Sequence, residues 1–553
     1  MTVDSKIIYP SIEKPWLKWY GDQSVNKQVV NATVWHNVYE SNKDYKNDVS
    51  LVFQNIKITY QTLFDKTIKV ANALLGNGIK KGDKIIVCST GTPETVYLLL
   101  ACSKVGVCVE MINLSLGKEN IVSALEESSA QFIFCLDRIY TKLQVSLSTI
   151  GKKIVVIPVI YSLPPIIQFI VSMTAKEKID SHSIIRWKDF LLKQELQYKD
   201  NDNPDSELVV VYSSGSTGKP KAIMHTNRSY TAISEQYRIC EYPFKRNDAF
   251  LNQIPFFIAS GLSFMLMAPL MQGIKVILEP EYEPKKWVDD IFKYKPEVIC
   301  ATKSFWDVAV YGKLFEGKDM SFINIAVQGG EPNTAQMEND INDILKKCNC
   351  KNQLVVGYGM SEVNGTLTTS SFKYHKAGST GIPLPGVTVS AFKMETGLEC
   401  SINERGELMA ISPYAMKEYS GNAELTKNFK WVDATGQTWY RTGDIGYIDE
   451  QGEVFVLGRA ADTLSYSNQT IYLFDIEKEI LSLSGISACK VVANDENVIF
   501  VNIIPVKKDN NEIDEVKSVI SKILPNYIEC RIKLWEEFPI NANGKCDRET
   551  LRK

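Results

Sequence analysis

Residues 84–136 alternate apolar, strand-like runs with helical patterns, and this alternation constrains the fold more than any other feature of the chain. Residues 84–90 and 130–136 are short apolar runs, whereas residues 93–106 carry apolar side chains at roughly helical spacing. Strands that alternate with helices in this way form a parallel sheet that helices cover on both faces. The stretch therefore predicts a β-α-β-α-β unit.

A similar alternation returns at residues 248–330, so two related α/β layers are predicted. From about residue 386 to residue 458 the pattern changes to short strands and turns, with predicted hairpins at Thr396-Gly397 and Gln451-Gly452. These features are typical of a small antiparallel β sub-domain.

A chain of 553 residues is too long for one compact core and is expected to divide into domains. The predicted fold class is α/β. Residues 1–460 are assigned to a large N-terminal domain of two related α/β layers plus the antiparallel sub-domain at about 386–458. Residues 461–553 are assigned to a small α+β C-terminal domain with its own strands and helices.

A polar loop follows the apolar run at residues 209–212, which is predicted to be a buried strand. Gly215 and Gly218 free the backbone, so that successive N–H groups can point into one concavity. The hydroxyl donors and positive charges of the loop are Ser213, Ser214, Ser216, Thr217, Lys219 and Lys221. This composition suits polyphosphate oxygens, and a flexible Gly/Ser loop is the alternative. The short spacing between the two glycines excludes a Walker A loop.

The composition excludes several classes of protein. Net charge is −3, with 62 basic against 65 acidic residues, so no nucleic-acid partner is predicted. Twelve cysteines without a C-x-x-C pair fit reduced thiols, and the N-terminus lacks the apolar core of a signal peptide. A cytoplasmic location is therefore expected. The four histidines lie far apart in sequence, so a His-based metal site is unsupported.

Residues 154–174 carry no charged side chain and approach the length of a membrane span. Prolines at 158, 164 and 165 would break a spanning helix. We predict a buried strand at residues 154–159 and an apolar segment at residues 165–173. A packed loop and a weak peripheral membrane contact stay open for the second segment.

Three further polar clusters interrupt apolar runs downstream. "GYGMSEVNG" carries Tyr358, Ser361 and Glu362, and the stretch from "WYRTGD" to "VLGR" carries Asp444 and Arg459. "NGKCDR" places Lys545 near the C-terminus. With the glycine-rich loop, these motifs resemble, in order and over nearly the whole chain, the adenylate-forming superfamily. That superfamily comprises acyl-CoA synthetases, aryl-acid ligases, beetle luciferases and adenylation domains of peptide synthetases.

The resemblance implies that the loop from Ser213 to Lys221 closes over the phosphates of ATP, with Lys221 at the near-invariant position of the motif. It also implies an adenine site. The residues that resemble it are Gly329, Gly330, Glu331, Pro332, Tyr358 and Gly359.

The remaining roles follow from the same resemblance. Ser361 is expected to contact phosphate, and Glu362 to bind Mg²⁺ as a hard carboxylate ligand. Asp444 resembles the residue that accepts both ribose hydroxyls, and Arg459 adds a nucleotide contact. Lys545 resembles the lysine that bridges the substrate carboxylate and the α-phosphate. Attack of a carboxylate on this phosphate brings two anions together, so the expected catalysis is positioning and charge stabilisation.

Two regions depart from the superfamily. At the hinge, where the resemblance implies that a mobile C-terminal domain pivots, this chain has Ala461 followed by Asp462. In the loop that reaches the thiol acceptor, Asn468 stands where glycine is usual, and Ser465 and Ser467 stand where basic residues are frequent. The lost positive charge puts tight CoA capture in doubt.

The substrate is predicted to be an acid without an α-amino group. Ile258 stands where amino-acid-activating members carry the Asp that pairs with the substrate ammonium, and a buried ammonium without that partner is costly. The predicted acid pocket comprises Phe256, Phe257, Ile258, Gly261 and Gln328. Fatty and aryl acids both fit an apolar pocket.

The leading prediction is an ATP- and Mg²⁺-dependent acid–thiol ligase that makes an acyl-adenylate and then an acyl-CoA thioester. Two alternatives stay open. "NGKCDR" resembles peptide-synthetase adenylation domains, so the acceptor could be the phosphopantetheine of a carrier protein. The altered hinge and thiol loop leave room for a nucleotide-binding regulatory protein without the second half-reaction.

Overall fold

The computed structural model describes residues 8–20, 31–159, 184–192, 196–213, 220–240, 242–466, 469–494, 496–506, 511–525, 527–539 and 546–553. The α-helices within these ranges are Pro10–Glu13, Val34–Asn42, Tyr60–Gly76, Pro93–Val105, Lys118–Glu127, Asp137–Thr149, Trp187–Phe190, Asn227–Ile239, Ala259–Leu262, Ala268–Met271, Pro284–Tyr294, Lys303–Tyr311, Ala335–Lys347, Ala423–Phe429, Leu473–Leu481, Asn511–Ile523 and Arg548–Leu551. In this part of the chain, no helix is both long enough and apolar enough to cross a membrane.

The sheet predicted from residues 84–136 has eight strands among the described residues. In spatial order they are Glu418–Tyr419, Ala222–Thr226, Glu207–Tyr212, Cys108–Met111, Lys84–Cys88, Phe132–Leu136, Lys153–Ile157 and Ile184–Arg186. Ala222–Thr226 is antiparallel to both of its neighbours, and the six strands from Glu207–Tyr212 onward run parallel. The predicted β-α-β-α-β unit and the strand predicted near residue 154 are confirmed. Residues 165–173 lie outside the described part.

A second mixed sheet holds nine strands within the described ranges. Their order is Ile382–Pro383, Thr368–Thr369, Val355–Tyr358, Ile325–Gly329, Val298–Ala301, Ala249–Asn252, Lys275–Leu278, Val49–Phe53 and Ile56–Thr59. Its six central strands run parallel. The second predicted α/β layer is therefore confirmed. The N-terminal strands at its edge complete it through pairing between distant parts of the chain.

One hydrophobic cluster joins the two large sheets. It contains Leu51 and Val276 of one sheet and Val87 and Val209 of the other. Helix Pro93–Val105 is buried along its whole length and contributes to the same cluster. A helix surrounded by protein on all sides needs apolar residues on every face, which explains the apolar run at residues 96–102.

The antiparallel sub-domain is confirmed. Its strands are Thr388–Phe392, Gly406–Ile411, Thr438–Ile448, Lys430–Val432 and Val454–Arg459. The two predicted turns are present, with Gly397 at φ 69° and Gly452 at φ 87°. A non-glycine residue is strained at such angles.

The residues after 460 form a smaller α+β unit with its own core. Strands Ile486–Ala493, Ile499–Pro505 and Cys530–Leu534 form one sheet, and Thr463–Tyr466 pairs with Gln469–Tyr472. Helices Leu473–Leu481 and Asn511–Ile523 pack against the three-stranded sheet in a cluster that includes Ile476, Val501 and Val516. We propose residue 460 as the domain boundary, because a domain is expected to possess its own core.

Candidate functional site

The base of the predicted phosphate loop is held closed by its own ends. The Ser213 N–H donates to the Lys221 carbonyl at 3.0 Å, and the Lys221 N–H donates to Ser213 Oγ at 3.3 Å. Strand Glu207–Tyr212 leads into the loop and strand Ala222–Thr226 leads out of it. The predicted loop residues Ser214, Gly215, Ser216, Thr217 and Gly218 lie outside the described residues.

Ser361 and Glu362 lie in the 3₁₀ turn Ser361–Val363, which follows strand Val355–Tyr358. Tyr419 donates its hydroxyl to Glu362 Oε1 at 2.7 Å, and the Met416 N–H donates to the Glu362 carbonyl at 2.6 Å. The side chain and the backbone of the predicted metal ligand are therefore both held by the segment before and within strand Glu418–Tyr419.

His225 holds the same turn from a second side. Its Nε2 lies 2.8 Å from the Ser361 carbonyl oxygen. Burial lowers the pKa of His225 to about 4, against the opposing effect of this hydrogen bond. The imidazole is therefore neutral near pH 7, and a carbonyl oxygen can only accept, so Nε2 carries the proton.

Gly359 allows this turn to fold back on itself. A Cβ at this position would lie 1.9 Å from the carbonyl oxygen of Gly365. The turn from Tyr358 to Gly365 therefore requires glycine at 359 for a close backbone approach.

Asp444 and Tyr358 meet at the edge of the antiparallel sub-domain. The Tyr358 hydroxyl donates to Asp444 Oδ2 at 2.6 Å, and an Arg459 guanidinium nitrogen lies 3.0 Å from Asp444 Oδ1. Burial raises the pKa of Asp444, and Arg459 and Tyr358 oppose this shift. Asp444 and Arg459 are paired across neighbouring strands, which explains why residues 15 positions apart meet. The carboxylate can accept hydrogen bonds from hydroxyl groups beside the turn that begins at Tyr358.

The "GGEP" segment forms an exposed turn after strand Ile325–Gly329. Glu331 accepts a hydrogen bond from the Ser304 N–H at 2.7 Å, which ties the segment to the start of helix Lys303–Tyr311. Gly330 has φ 79°, and both Glu331 and Pro332 are exposed. The turn therefore lies at the carboxyl end of a strand that pairs with the strand ending at Tyr358.

The structure brings only some of the predicted acid-pocket residues together on one surface. Phe256 and Phe257 belong to the core cluster between the large sheets, and Phe256 packs against the loop at Gly91. Ile258 is 37% exposed. Gly261 is required because a Cβ there would lie 2.6 Å from the Pro255 carbonyl oxygen.

Gln328 lies on a different face from the aromatic part of this pocket. By strand alternation it shares a face with Ala326, which packs beneath the helices Lys303–Tyr311 and Ala335–Lys347. Its Nε2 donates to the Glu331 carbonyl at 3.0 Å. The structure therefore gives Gln328 a contact with the "GGEP" turn.

The segment that begins at Ile258 touches the turn that carries Glu362. Ser263 Oγ donates to the Asn364 carbonyl at 2.7 Å, and a Cβ on Gly365 would lie 3.6 Å from Ser260 Cα. The predicted acid site and the predicted metal site are therefore neighbours.

The predicted hinge lies in the 3₁₀ turn Ala460–Asp462. Ala461 is exposed, whereas Asp462 is buried and paired with Arg548 of the C-terminal unit. Lys545 and Asn468 lie outside the described residues, so the predicted position of Lys545 at the reacting carboxylate stays a prediction.

His225, Tyr419 and Ser263 are the contacts that the motif analysis missed. Each is an ordinary residue in its local sequence, and each reaches residues 361–364 from at least 57 positions away. Only the knowledge that strand Glu418–Tyr419 pairs with strand Ala222–Thr226 could have found two of them.

A family profile described as AMP-binding enzyme matches residues 38–420. The chain is 24% identical to the long-chain-fatty-acid–CoA ligase of Bacillus subtilis (strain 168), over 98% of each chain. It is 26% identical to the 4-coumarate–CoA ligase CCL1 of Humulus lupulus, over 90% of this chain and 88% of the relative.

The o-succinylbenzoate coenzyme A synthetase from Bacillus subtilis, solved in complex with ATP and magnesium ion, has the same fold. Its TM-score is 0.73 at 21% identity, covering 94% of this chain and 99% of that one. The predicted fold class is thereby confirmed, and the family profile confirms the predicted resemblance and the acid–thiol ligase type of enzyme. Since the profile covers more than half of its residues, the chain belongs to the AMP-binding enzyme family.

Proposed function

We propose that this protein is an ATP- and Mg²⁺-dependent ligase that joins an apolar carboxylic acid to CoA. In the first half-reaction the substrate carboxylate attacks the α-phosphorus of ATP, the bond to the β-phosphate oxygen breaks, and pyrophosphate leaves. In the second, the CoA thiol attacks the acyl carbon, loses its proton, and displaces AMP. ATP, Mg²⁺ and CoA are supported as cofactors by the named relatives and by the ATP- and magnesium-bound neighbour.

The observation that carries this proposal is the set of contacts made by the turn from residue 358 to residue 365. Tyr358 bonds to Asp444, and Glu362 bonds to Tyr419, whose ring lies 5.5 Å from Lys221 Nζ. The Asn364 carbonyl accepts a hydrogen bond from Ser263, which lies in the segment that begins at Ile258. The residues proposed for ribose, metal, phosphate and acid therefore adjoin one short turn, as a reaction at the α-phosphate requires.

The donors present fit Mg²⁺. Glu362 is partly exposed and supplies carboxylate oxygen, the ligand that Mg²⁺ prefers, and triphosphate oxygens would supply others. When bound, Mg²⁺ would neutralise charge that gathers on the phosphate oxygens. Ser361 would donate a hydrogen bond to phosphate, and the Lys221 ammonium would neutralise negative charge on the phosphates. Asp444 would accept hydrogen bonds from the ribose hydroxyls. Arg459 would add a further nucleotide contact.

We propose an acid without an α-amino group as the substrate. Ile258 offers no charge to an ammonium, and it lies at the start of the segment that contacts the Glu362 turn. The two relatives are named for a long-chain fatty acid and for 4-coumarate, and both are acids of this kind. The twelve cysteines include no C-x-x-C pair, which fits reduced thiols and supports a cytoplasmic location.

The test is pyrophosphate release with ATP and Mg²⁺ across fatty, aryl and amino acids, with and without CoA. We expect release with a fatty or aryl acid, and an acyl-CoA product when CoA is present. Lys545→Ala is expected to slow adenylation by about two or more orders of magnitude, the scale of removing one transition-state charge stabiliser. An unchanged adenylation rate in this variant would contradict the role proposed for Lys545.

The controls separate the alternative acceptors. Trapping of the acyl-adenylate by hydroxylamine, without CoA consumption, would indicate a carrier protein as acceptor. If ATP binds but no acid in the panel causes release of pyrophosphate, the protein is indicated to be a regulatory nucleotide-binding protein.

A further inference from the structure

Tyr419 is fixed in place by the strand that leaves the predicted phosphate loop. In the antiparallel pair it lies opposite Ile223 of strand Ala222–Thr226. Its side chain is 4% exposed and packs edge-on against Phe429, with ring centroids 5.8 Å apart. A tyrosine packed in this way has little rotameric freedom, so its hydroxyl points in a defined direction.

That direction is toward the Glu362 carboxylate. The hydroxyl donates to Oε1 at 2.7 Å, and the Met416 N–H holds the Glu362 carbonyl from the same segment. A hydrogen bond to one oxygen of a carboxylate restricts its rotation and leaves the other oxygen for a second partner.

The strand Ala222–Thr226 links this contact to the phosphate loop. Lys221 immediately precedes the strand, and its ammonium lies 5.5 Å from the Tyr419 ring centroid. His225, in the same strand, bonds to the Ser361 carbonyl. The turn that carries Glu362 is thus anchored to strand Ala222–Thr226 directly through His225, and indirectly through Tyr419 of the paired strand.

We propose that Tyr419 is a positioning residue that orients the Glu362 carboxylate toward a divalent cation bound with the triphosphate of ATP. The inference rests on the proposed function, which makes Glu362 the metal ligand. Residues that orient a metal ligand contribute to affinity because they remove, before binding, the freedom that the ligand would otherwise lose.

The test measures ATP affinity by calorimetry without acid or CoA, once in excess Mn²⁺ and once in EDTA. The ratio of the two dissociation constants reports how strongly the metal tightens nucleotide binding. In Tyr419→Phe we expect this ratio to fall about 10- to 100-fold, the usual effect of removing a residue that supports a metal ligand. Affinity for metal-free ATP is expected to stay unchanged.

Tyr440→Phe is the matched control, because Tyr440 belongs to the same aromatic cluster through Phe429, at 5.4 Å between ring centroids. We expect it to keep the ratio of the unaltered protein. Tyr419→Phe retains the packed ring, and thermal unfolding of both variants checks that the fold is intact.

Glu362→Gln separates the inference from the proposed function. If Glu362→Gln lowers the ratio and Tyr419→Phe leaves it unaltered, the positioning role of Tyr419 is wrong. If Glu362→Gln itself leaves the ratio unaltered, Glu362 is not the metal ligand and the metal assignment of the proposed function fails. An equal fall in metal-free affinity in Tyr419→Phe would indicate a general distortion and would also overturn the inference.

Discussion

The shape of the candidate site depends on the absence of a side chain at Gly359. A Cβ there would lie 1.9 Å from a backbone oxygen of Gly365, which no rotamer change can relieve. Gly359→Ala is expected to open the turn and to destabilise the fold by about 1–3 kcal/mol, as overpacking does. Chemical denaturation measures the change.

Gly117→Ala is the control, because a Cβ at Gly117 would meet nothing within 4 Å. Gly117 is the N-cap of helix Lys118–Glu127, where alanine is less favourable than glycine, so the free energy of unfolding of this variant is expected to fall by less than about 1 kcal/mol. Equal stability of the two variants would show that the 359–365 turn tolerates a side chain.

The motifs predicted which residues lie around this turn, but not the hydrogen bonds that hold those residues in place. Tyr358, Ser361, Glu362 and Asp444 were identified from their spacing and resemblance, and they do lie close together. The hydrogen bonds of His225 and Tyr419 could not be predicted, because a single histidine or tyrosine has no local pattern that reveals a distant partner.

Among the elements, His375 joins helix Ala335–Lys347 to the antiparallel sub-domain. Its Nε2 lies 2.6 Å from Glu338 Oε1 and its Nδ1 lies 3.4 Å from Glu453 Oε2, and both carboxylates are buried. Burial opposes the charged imidazole, but the hydrogen bonds and charges of Glu338 and Glu453 outweigh it and raise the pKa of His375 to about 9.

The sign of the pH dependence follows from this raised pKa. The stabilisation is fully present below the unfolded pKa of about 6.5 and is lost as the pH rises through about 9. It amounts to at most about 3 kcal/mol. We expect the free energy of unfolding of the unaltered protein to fall more steeply from pH 6 to pH 9.5 than that of His375→Gln. Urea denaturation at both pH values measures this, and parallel slopes would contradict it.

The elements themselves were largely predictable, whereas their order in the sheets was not. The alternation at residues 84–136 identified strands and helices because burial imposes a local period. Strand Val49–Phe53 pairs with Lys275–Leu278, and Glu418–Tyr419 pairs with Ala222–Thr226. Such pairings join segments about 200 residues apart, and no local period reports them.

The proposed division at residue 460 separates the core between the large sheets from the core of the C-terminal unit. Across this division, Arg405 pairs with Asp475 at 2.6 Å, and Thr470 Oγ1 donates to Glu395 Oε1 at 2.7 Å. The first pair is partly exposed and is expected to stabilise the arrangement by no more than about 1 kcal/mol. Weak contacts of this kind are compatible with the hinge predicted at Ala461 and Asp462.

We propose that the protein couples ATP cleavage to thioester formation on an apolar acid. The most direct test of this coupling follows AMP, pyrophosphate and acyl-CoA together in one reaction with ATP, Mg²⁺, CoA and a fatty or aryl acid. We expect the three products in equal amounts, and none when the acid is omitted. Pyrophosphate and AMP without acyl-CoA, or ATP bound without any product across the acid panel, would contradict the claim.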